Sequence, residues 1–281
     1  MSGFLGGLIG SFVKKEYTLV ATLTTNQTWT VPAGTDKMAA FLIAGGSGGF
    51  AGTTAGAGGR GGGGGGACAF WDYSPASGLV WTASFGNAPD TSCSFLATIG
   101  GTSSGLTATT PSQTTGGAGN ILNVGLFWTT SITAAGGAAG SPGGTRPSGT
   151  GNGTNGSNGG AAAALTHASF SSLKLPTNLT SGAGGGAGGG GANFGGTQSF
   201  IVGGQAGTPR GPGDEGSGGG YSAMGFSVNG RAGFTQTTSN ATRGYGGGGG
   251  GGASTGFGGG GNGTAGARGS GVGGIVYIYT K

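Results

Sequence analysis

The chain has 281 residues, of which 80 are glycine and only 6% are charged. A helical globule is not expected, because each glycine in a helix interior costs roughly 1 kcal/mol relative to alanine. The net charge of +5 is spread thinly over the sequence, whereas nucleic-acid binding requires a concentrated basic patch. Apolar residues make up 34% of the chain, so there is enough material to bury, and we expect a folded protein.

The first segment, residues 1–16, is predicted to be an anchor. Its apolar stretch is shorter than the roughly 20 residues that span a bilayer, and its lysines follow the stretch, unlike those of a secretory signal. Two interpretations stay open: an anchor that docks on a partner protein or a membrane, and an arm packed on this protein's own body. Large apolar residues at helical spacing are the predicted docking residues: Phe4, Leu5, Leu8, Ile9 and Phe12.

The pattern changes to β-strands after this segment. Residues 17–44 contain β-branched, alternating and continuous apolar runs, a second β-prone zone spans 67–133, and residues 274–279 form a final strand. These zones predict a β-rich attachment domain over 17–134, which includes the first glycine tract. They also predict a glycine-rich domain with variable loops and a C-terminal strand over 135–281.

Three tracts are dominated by glycine: 14 of the 22 residues in 45–66, 10 of 15 in 182–196 and 19 of 31 in 244–274. No sustained Gly-X-Y register is present, which excludes a collagen triple helix. Glycine tracts can pack side by side as polyglycine-II helices, which have three residues per turn and bond to one another through the main chain. The predicted fold class is all-β, with short strands flanking such a bundle; the alternative is flexible glycine loops on a β-sandwich.

The two ends of the chain resemble a known kind of protein. Residues 28–34 read TWTVPAG and lead into the apolar run 38–44 and then GGSGG, while residues 258–269 lead into the closing strand 275–279. This arrangement resembles glycine-rich phage tail proteins, and the intervening blocks resemble the tip adhesins of long tail fibres in T-even-like phages. The resemblance implies stacked polyglycine-II helices whose variable loops bind outer-membrane proteins or lipopolysaccharide.

Catalytic and metal-binding patterns are poorly supported. Ser47 satisfies G-x-S-x-G without the helix that a nucleophile elbow needs, and the only histidine, His167, lies in what is predicted to be a short strand. Asp214–Glu215 are expected at a solvated loop tip. Cys68 and Cys93 could form one disulfide or remain small buried residues. We therefore expect no enzyme activity, no metal and no cofactor.

Aromatic residues supply the candidate binding site. The tryptophans in strands are expected in the core, whereas aromatics on loops between glycine helices have little core to enter. Exposed aromatics are well suited to binding a saccharide or a protein receptor. The candidate receptor-binding residues are Phe194, Phe200, Tyr221, Phe226, Tyr245 and Phe257.

The sequence thus favours a phage adhesin located in the virion, at a tail or fibre tip. Its expected partners are other tail or capsid proteins and a bacterial surface receptor. The alternative is a structural tail or capsid component that joins virion proteins without touching the host. A trimer and a monomeric tip are both compatible with the sequence.

Overall fold

The computed structural model describes residues 15–46, 64–85, 92–109, 116–138, 140–141, 159–181, 222–223, 226–227 and 274–281. Two five-stranded antiparallel sheets contain most of these residues. In spatial order, the first sheet consists of β1 (Thr18–Leu23), β12 (Ile275–Thr280), β3 (Met38–Ile43), β4 (Ala67–Tyr73) and β9 (Ser131–Ala134). The second consists of β2 (Gln27–Thr30), β5 (Val80–Phe85), β6 (Cys93–Ile99), β7 (Thr102–Ala108) and β8 (Gly119–Leu122). A separate hairpin pairs β10 (Ser222–Ala223) with β11 (Phe226–Ser227).

The main core lies between the two sheets. Strand β5 alternates in burial, so that Trp81 and Ala83 point inward while Val80 and Thr82 face outward, as the two-residue period of a strand requires. The Trp81 ring stacks on Phe70 of the first sheet at 5.5 Å and on Phe95 at 4.8 Å. These aromatic contacts join the sheets into a sandwich, and the predicted core position is confirmed for the strand tryptophans Trp71 and Trp81.

The central strands of the first sheet are buried on both faces. All six residues of β3 are buried, which explains why its sequence is a continuous apolar run rather than an alternating one. Residues 159–181 cover the second face and place Leu165, Phe170 and Leu179 against it. The single helical turn of this layer is α1 (Phe170–Leu173), and Phe170 packs edge-on against Phe41 at 5.5 Å.

The all-β fold class is confirmed, because α1 is the only helix among the described residues. The strand predicted around His167 is wrong: Phe170 N–H donates to the His167 carbonyl in a turn that leads into α1. Cys68 and Cys93 are both buried and are not joined by a disulfide. The division at residue 134 stays a prediction, although β12 lies between β1 and β3 in the first sheet.

Candidate functional site: the two ends of the sandwich

At one end of the sandwich, three glycine-rich segments are joined in a ring of main-chain hydrogen bonds. Gly64 N–H donates to Gly137 O at 2.8 Å, Gly136 N–H donates to Gly117 O at 2.8 Å, and Gly117 N–H donates to Gly64 O at 2.9 Å. The ring is therefore closed without any side chain. We call this the glycine end.

The segments of the ring approach each other too closely for any side chain. A Cβ on Gly136 would overlap the carbonyl oxygen of Gly64, and one on Gly116 would overlap the carbonyl oxygen of Gly136. A Cβ on Gly65 would meet Ala44, whereas one on Gly66 would lie 2.5 Å from the Ala118 carbonyl carbon.

Successive residues of the segment 64–66 thus face different neighbours. Gly64 bonds to the segments at 117 and 137, Gly65 approaches residues 44–45, and Gly66 approaches residues 117–119. The described glycines of the ring are therefore closely packed and bonded to one another directly through the main chain.

The longest glycine-rich parts of the chain all depart from the glycine end. Residues 47–63 connect the end of β3 to the start of β4, and both of these lie here because the two strands are antiparallel neighbours. The second connection runs from Ala138 to Gly160. Gly160 N–H donates to Ala138 O at 2.7 Å, so this connection begins and ends at the same end of the sandwich. Ser181 Oγ donates to Ala135 O at 2.6 Å, and Gly274 adjoins Ile43 O, so the third connection also begins and ends here.

The opposite end of the sandwich, which we call the charged end, holds most of the charged residues that the structure describes. Lys15 Nζ lies 2.8 Å from Asp36 Oδ2 in an exposed ion pair. The Lys281 ammonium lies 4.7 Å above the Tyr17 ring and 3.8 Å from Asp72 Oδ1.

Tyr17 fixes the incoming chain at the charged end. Its hydroxyl oxygen accepts a bond from the Asp72 N–H at 3.1 Å. Burial raises the pKa of Tyr17 above its usual value, with a smaller contribution from the nearby Asp72 carboxylate. Thr18 at the start of β1 pairs with Thr280 at the end of β12, so residues 1–14 join the described structure at the charged end.

The outer face of the second sheet is uncharged among the described residues. It contains a shallow depression of about 510 Å³ lined by Leu79, Val80, Thr82, Leu96, Ala97, Thr98 and Ser103. No aromatic side chain lines this depression.

The predicted binding residues fall almost entirely outside the described residues. Of the receptor-binding candidates, only Phe226 is described, through its backbone, which pairs with Ala223 in the hairpin β10–β11. The docking residues between Phe4 and Phe12, as well as Ser47 and the acidic pair at 214–215, lie outside them too. The receptor-binding and docking residues therefore stay predictions.

His167 is exposed and does not assemble a catalytic group with its described neighbours. Its Nδ1 lies 2.8 Å from Ser169 Oγ, and its ring packs on Trp71 at 4.8 Å. No cluster of three potential metal ligands occurs among the residues that the structure describes. The Cys68 thiol is 3.4 Å from the Thr107 carbonyl, and burial raises its pKa to about 12, so it stays protonated near neutral pH.

The ring segment at residues 116–118 could not be predicted from the sequence, because its two consecutive glycines are far shorter than the three glycine-dominated tracts. A pair of glycines shortly before a strand is too common in sequences to indicate such a segment.

Comparisons with known proteins place this chain in a family. No helix within the described ranges is long and apolar enough to cross a membrane. A search of curated proteins found no match. The sequence profile of a family described as a glycine-rich domain matches residues 21–281. The match runs from within β1 to the end of the chain and includes both the sandwich and the glycine-rich connections. The chain therefore belongs to this glycine-rich domain family.

Proposed function

We propose that this protein is a bacteriophage adhesin that attaches a virion to a bacterial surface receptor, either an outer-membrane protein or a polysaccharide. In this proposal the glycine-rich connections form a rigid body of packed polyglycine-II helices above the glycine end. Loops of that body, which carry the aromatics from Phe194 to Phe257, bind the receptor. Residues 1–16 attach the protein to a tail or capsid component. The proposal includes no catalytic step and no cofactor.

The observation that carries the proposal is the separation of the two ends. The three longest glycine-rich connections start and finish at the glycine end, whereas residues 1–14 join at the charged end. An adhesin needs this polarity, because the part that binds the particle must lie away from the part that binds the host. The resemblance of both chain ends to glycine-rich phage tail proteins supports the same function.

The ring at the glycine end supports the proposed body. A bundle of glycine helices needs a base that fixes the spacing of its first residues, since each ordered glycine loses more backbone entropy than any other residue. The described segments 64–66, 116–118 and 136–138 bond to one another and continue directly into or out of β4, β8 and β9. The sandwich is suited to be that base.

Binding of the fluorescently labelled protein to a panel of bacterial strains, with and without their surface polysaccharide, tests the function. We expect saturable, strain-specific binding that Tyr221→Ala and Phe226→Ala weaken. Val80→Ala is the matched control, because Val80 is exposed on the second sheet near the charged end. Its binding should equal that of the wild type.

Absence of binding to every strain that the phage infects would overturn the adhesin proposal. The structural alternative predicts a different result for the same variants: particles that carry Tyr221→Ala or Phe226→Ala would fail to assemble. Intact particles with lost adsorption would support the adhesin.

A further inference from the structure

The two most exposed large hydrophobic residues that the structure describes lie in one turn at the charged end, between β8 and β9. We call residues 123–128 the apolar finger. The side chains of Val124 and Leu126 are 57% and 75% exposed, the highest values among the large hydrophobic residues described. Phe127 is half-buried and packs on the core beside them.

The apolar finger is held in place rather than loosely connected. Asn123 takes a left-handed backbone conformation with φ of 62°, and its side-chain amide donates to Ser104 Oγ at 2.8 Å. Gly125 N–H donates to Trp128 O at 3.1 Å, and the buried Trp128 indole N–H donates to Leu122 O at 2.8 Å. These bonds fix the turn in a conformation that exposes Leu126 to water. A segment that covered Leu126 would therefore gain hydrophobic free energy.

The incoming N-terminal chain and the apolar finger lie at the same end of the sandwich. Tyr17 bonds to Asp72, and the neighbouring Trp71 N–H donates to Thr130 O at 3.2 Å. Thr130 is only four residues from Leu126, which is at most roughly 14 Å of chain. Fourteen residues before Lys15 extend about 21 Å as a helix and up to about 46 Å when extended. The segment is therefore long enough to reach the finger and lie along it.

We propose that residues 1–14 dock on the apolar finger of their own chain, with the stripe of Phe4, Leu5, Leu8, Ile9 and Phe12 covering Val124 and Leu126. The chemistry is complementary because both partners are apolar and the finger itself carries no charge. Burial of Val124 and Leu126 removes from water the two most exposed large hydrophobic residues of the described part of the chain, and the segment gains a fixed position beside the charged residues of this end.

This contact is compatible with attachment to a virion, since the free protein must keep the same stripe out of water until a partner covers it. The inference does not require a bacterial receptor, and its test is independent of cell binding.

Hydrogen–deuterium exchange at the amides of residues 4–13 in the full chain tests the docking. We expect these amides to be protected in the wild type. Leu126→Asp should accelerate their exchange about tenfold or more, because burying a leucine side chain is worth at least that factor in an equilibrium constant. Leu126→Ser and Leu8→Asp should act in the same direction.

Val80→Asp is the matched control. Val80 is 48% exposed and lies near the same end, but on a strand remote from β8 in the second sheet, so its replacement should leave exchange unchanged. Equal tryptophan emission spectra of all variants show that the sandwich is intact. Unprotected amides in the wild type, or protection that Leu126→Asp and Leu126→Ser leave intact, would overturn the proposal. Protection that rises with protein concentration would also overturn it and assign the segment to the finger of a second copy.

Discussion

Replacement of Gly136 by alanine is expected to break the ring at the glycine end. The new Cβ would overlap the Gly64 carbonyl oxygen and lie 2.8 Å from Gly65 O, so the two segments must move apart. Overpacking by one carbon costs about 1–3 kcal/mol, and each main-chain hydrogen bond lost with it costs about 1 kcal/mol. With the two bonds Gly136 N–H to Gly117 O and Gly64 N–H to Gly137 O lost, we expect Gly136→Ala to lower the free energy of unfolding by about 3–5 kcal/mol, a large share of the roughly 5–15 kcal/mol of a typical domain.

Urea unfolding followed by tryptophan fluorescence measures this loss, because Trp81 and Trp128 are buried between the sheets. Gly34→Ala is the control: a Cβ there meets nothing within 4 Å, but φ is 78°, so only the left-handed backbone penalty of about 1–2 kcal/mol applies. If Gly136→Ala costs no more than Gly34→Ala, the segments can separate freely, and the argument that they form a close-packed base is wrong.

Two further predictions concern buried polar groups. Burial raises the pKa of the Cys68 thiol to about 12. The contribution of the neutral thiol to the free energy of unfolding is therefore complete below the pKa of about 8.5 that a cysteine has in the unfolded chain, and it is lost as pH rises toward 12. Unfolding free energies measured from about pH 8 to about pH 10 should fall less steeply for Cys68→Ala than for the wild type; parallel slopes would contradict this. Ser181 Oγ donates to Ala135 O and accepts from Ala163 N–H, so Ser181→Ala should cost about 1–3 kcal/mol in urea unfolding. The exposed Ser171→Ala should change stability by less than about 0.5 kcal/mol, and equal losses for the two would refute the role of Ser181.

Most strands could be predicted because their burial imposes a readable pattern. The run of β3 is apolar throughout since both faces are covered, and β5 alternates since one face is open. β7 is harder to predict: its sequence TSSGLTA contains few large side chains and a central glycine, Gly105. Its φ is 139°, and its missing Cβ leaves room for the Phe95 carbonyl oxygen and the Trp81 ring. Such a strand is defined by its neighbours and not by its own composition.

The error around His167 has a local cause. Leu165 and Phe170 are both buried, and two apolar residues in a short segment are compatible with a strand as well as with a turn and one helical turn. The end of the segment favours the helical turn over the strand. There Lys174 adopts φ of 60°, and its N–H donates back to carbonyl groups of α1. Lysine has no strong preference for this conformation, so the sequence holds no signal for it.

The candidate site could be predicted in kind but not in detail. The abundance of glycine indicates close main-chain packing, and the ring shows such packing. Which glycines meet depends on the register of strands far apart in sequence: Gly64 reaches Gly137 only because β4 pairs with β9 from Ala67 opposite Ala134. The apolar finger was not predicted either, because residues 121–128 have the composition of a strand, while the structure forms a turn from Asn123 onward.

The position of the long connections follows from the number of strands between them. In an antiparallel arrangement each strand reverses the direction of the chain, so connections separated by an even number of strands leave from the same end. Six strands, β4 to β9, lie between the first long connection and the second. Because six is even, both connections leave from the same end. The segment 159–181 then returns to the glycine end through the pairing of Ala164 with Thr180. The insertion or loss of one strand would move a glycine connection to the charged end, where it would have no ring to join. Length variation inside the glycine-rich connections leaves the number of strands unchanged, and so it leaves both ends of every connection at the glycine end.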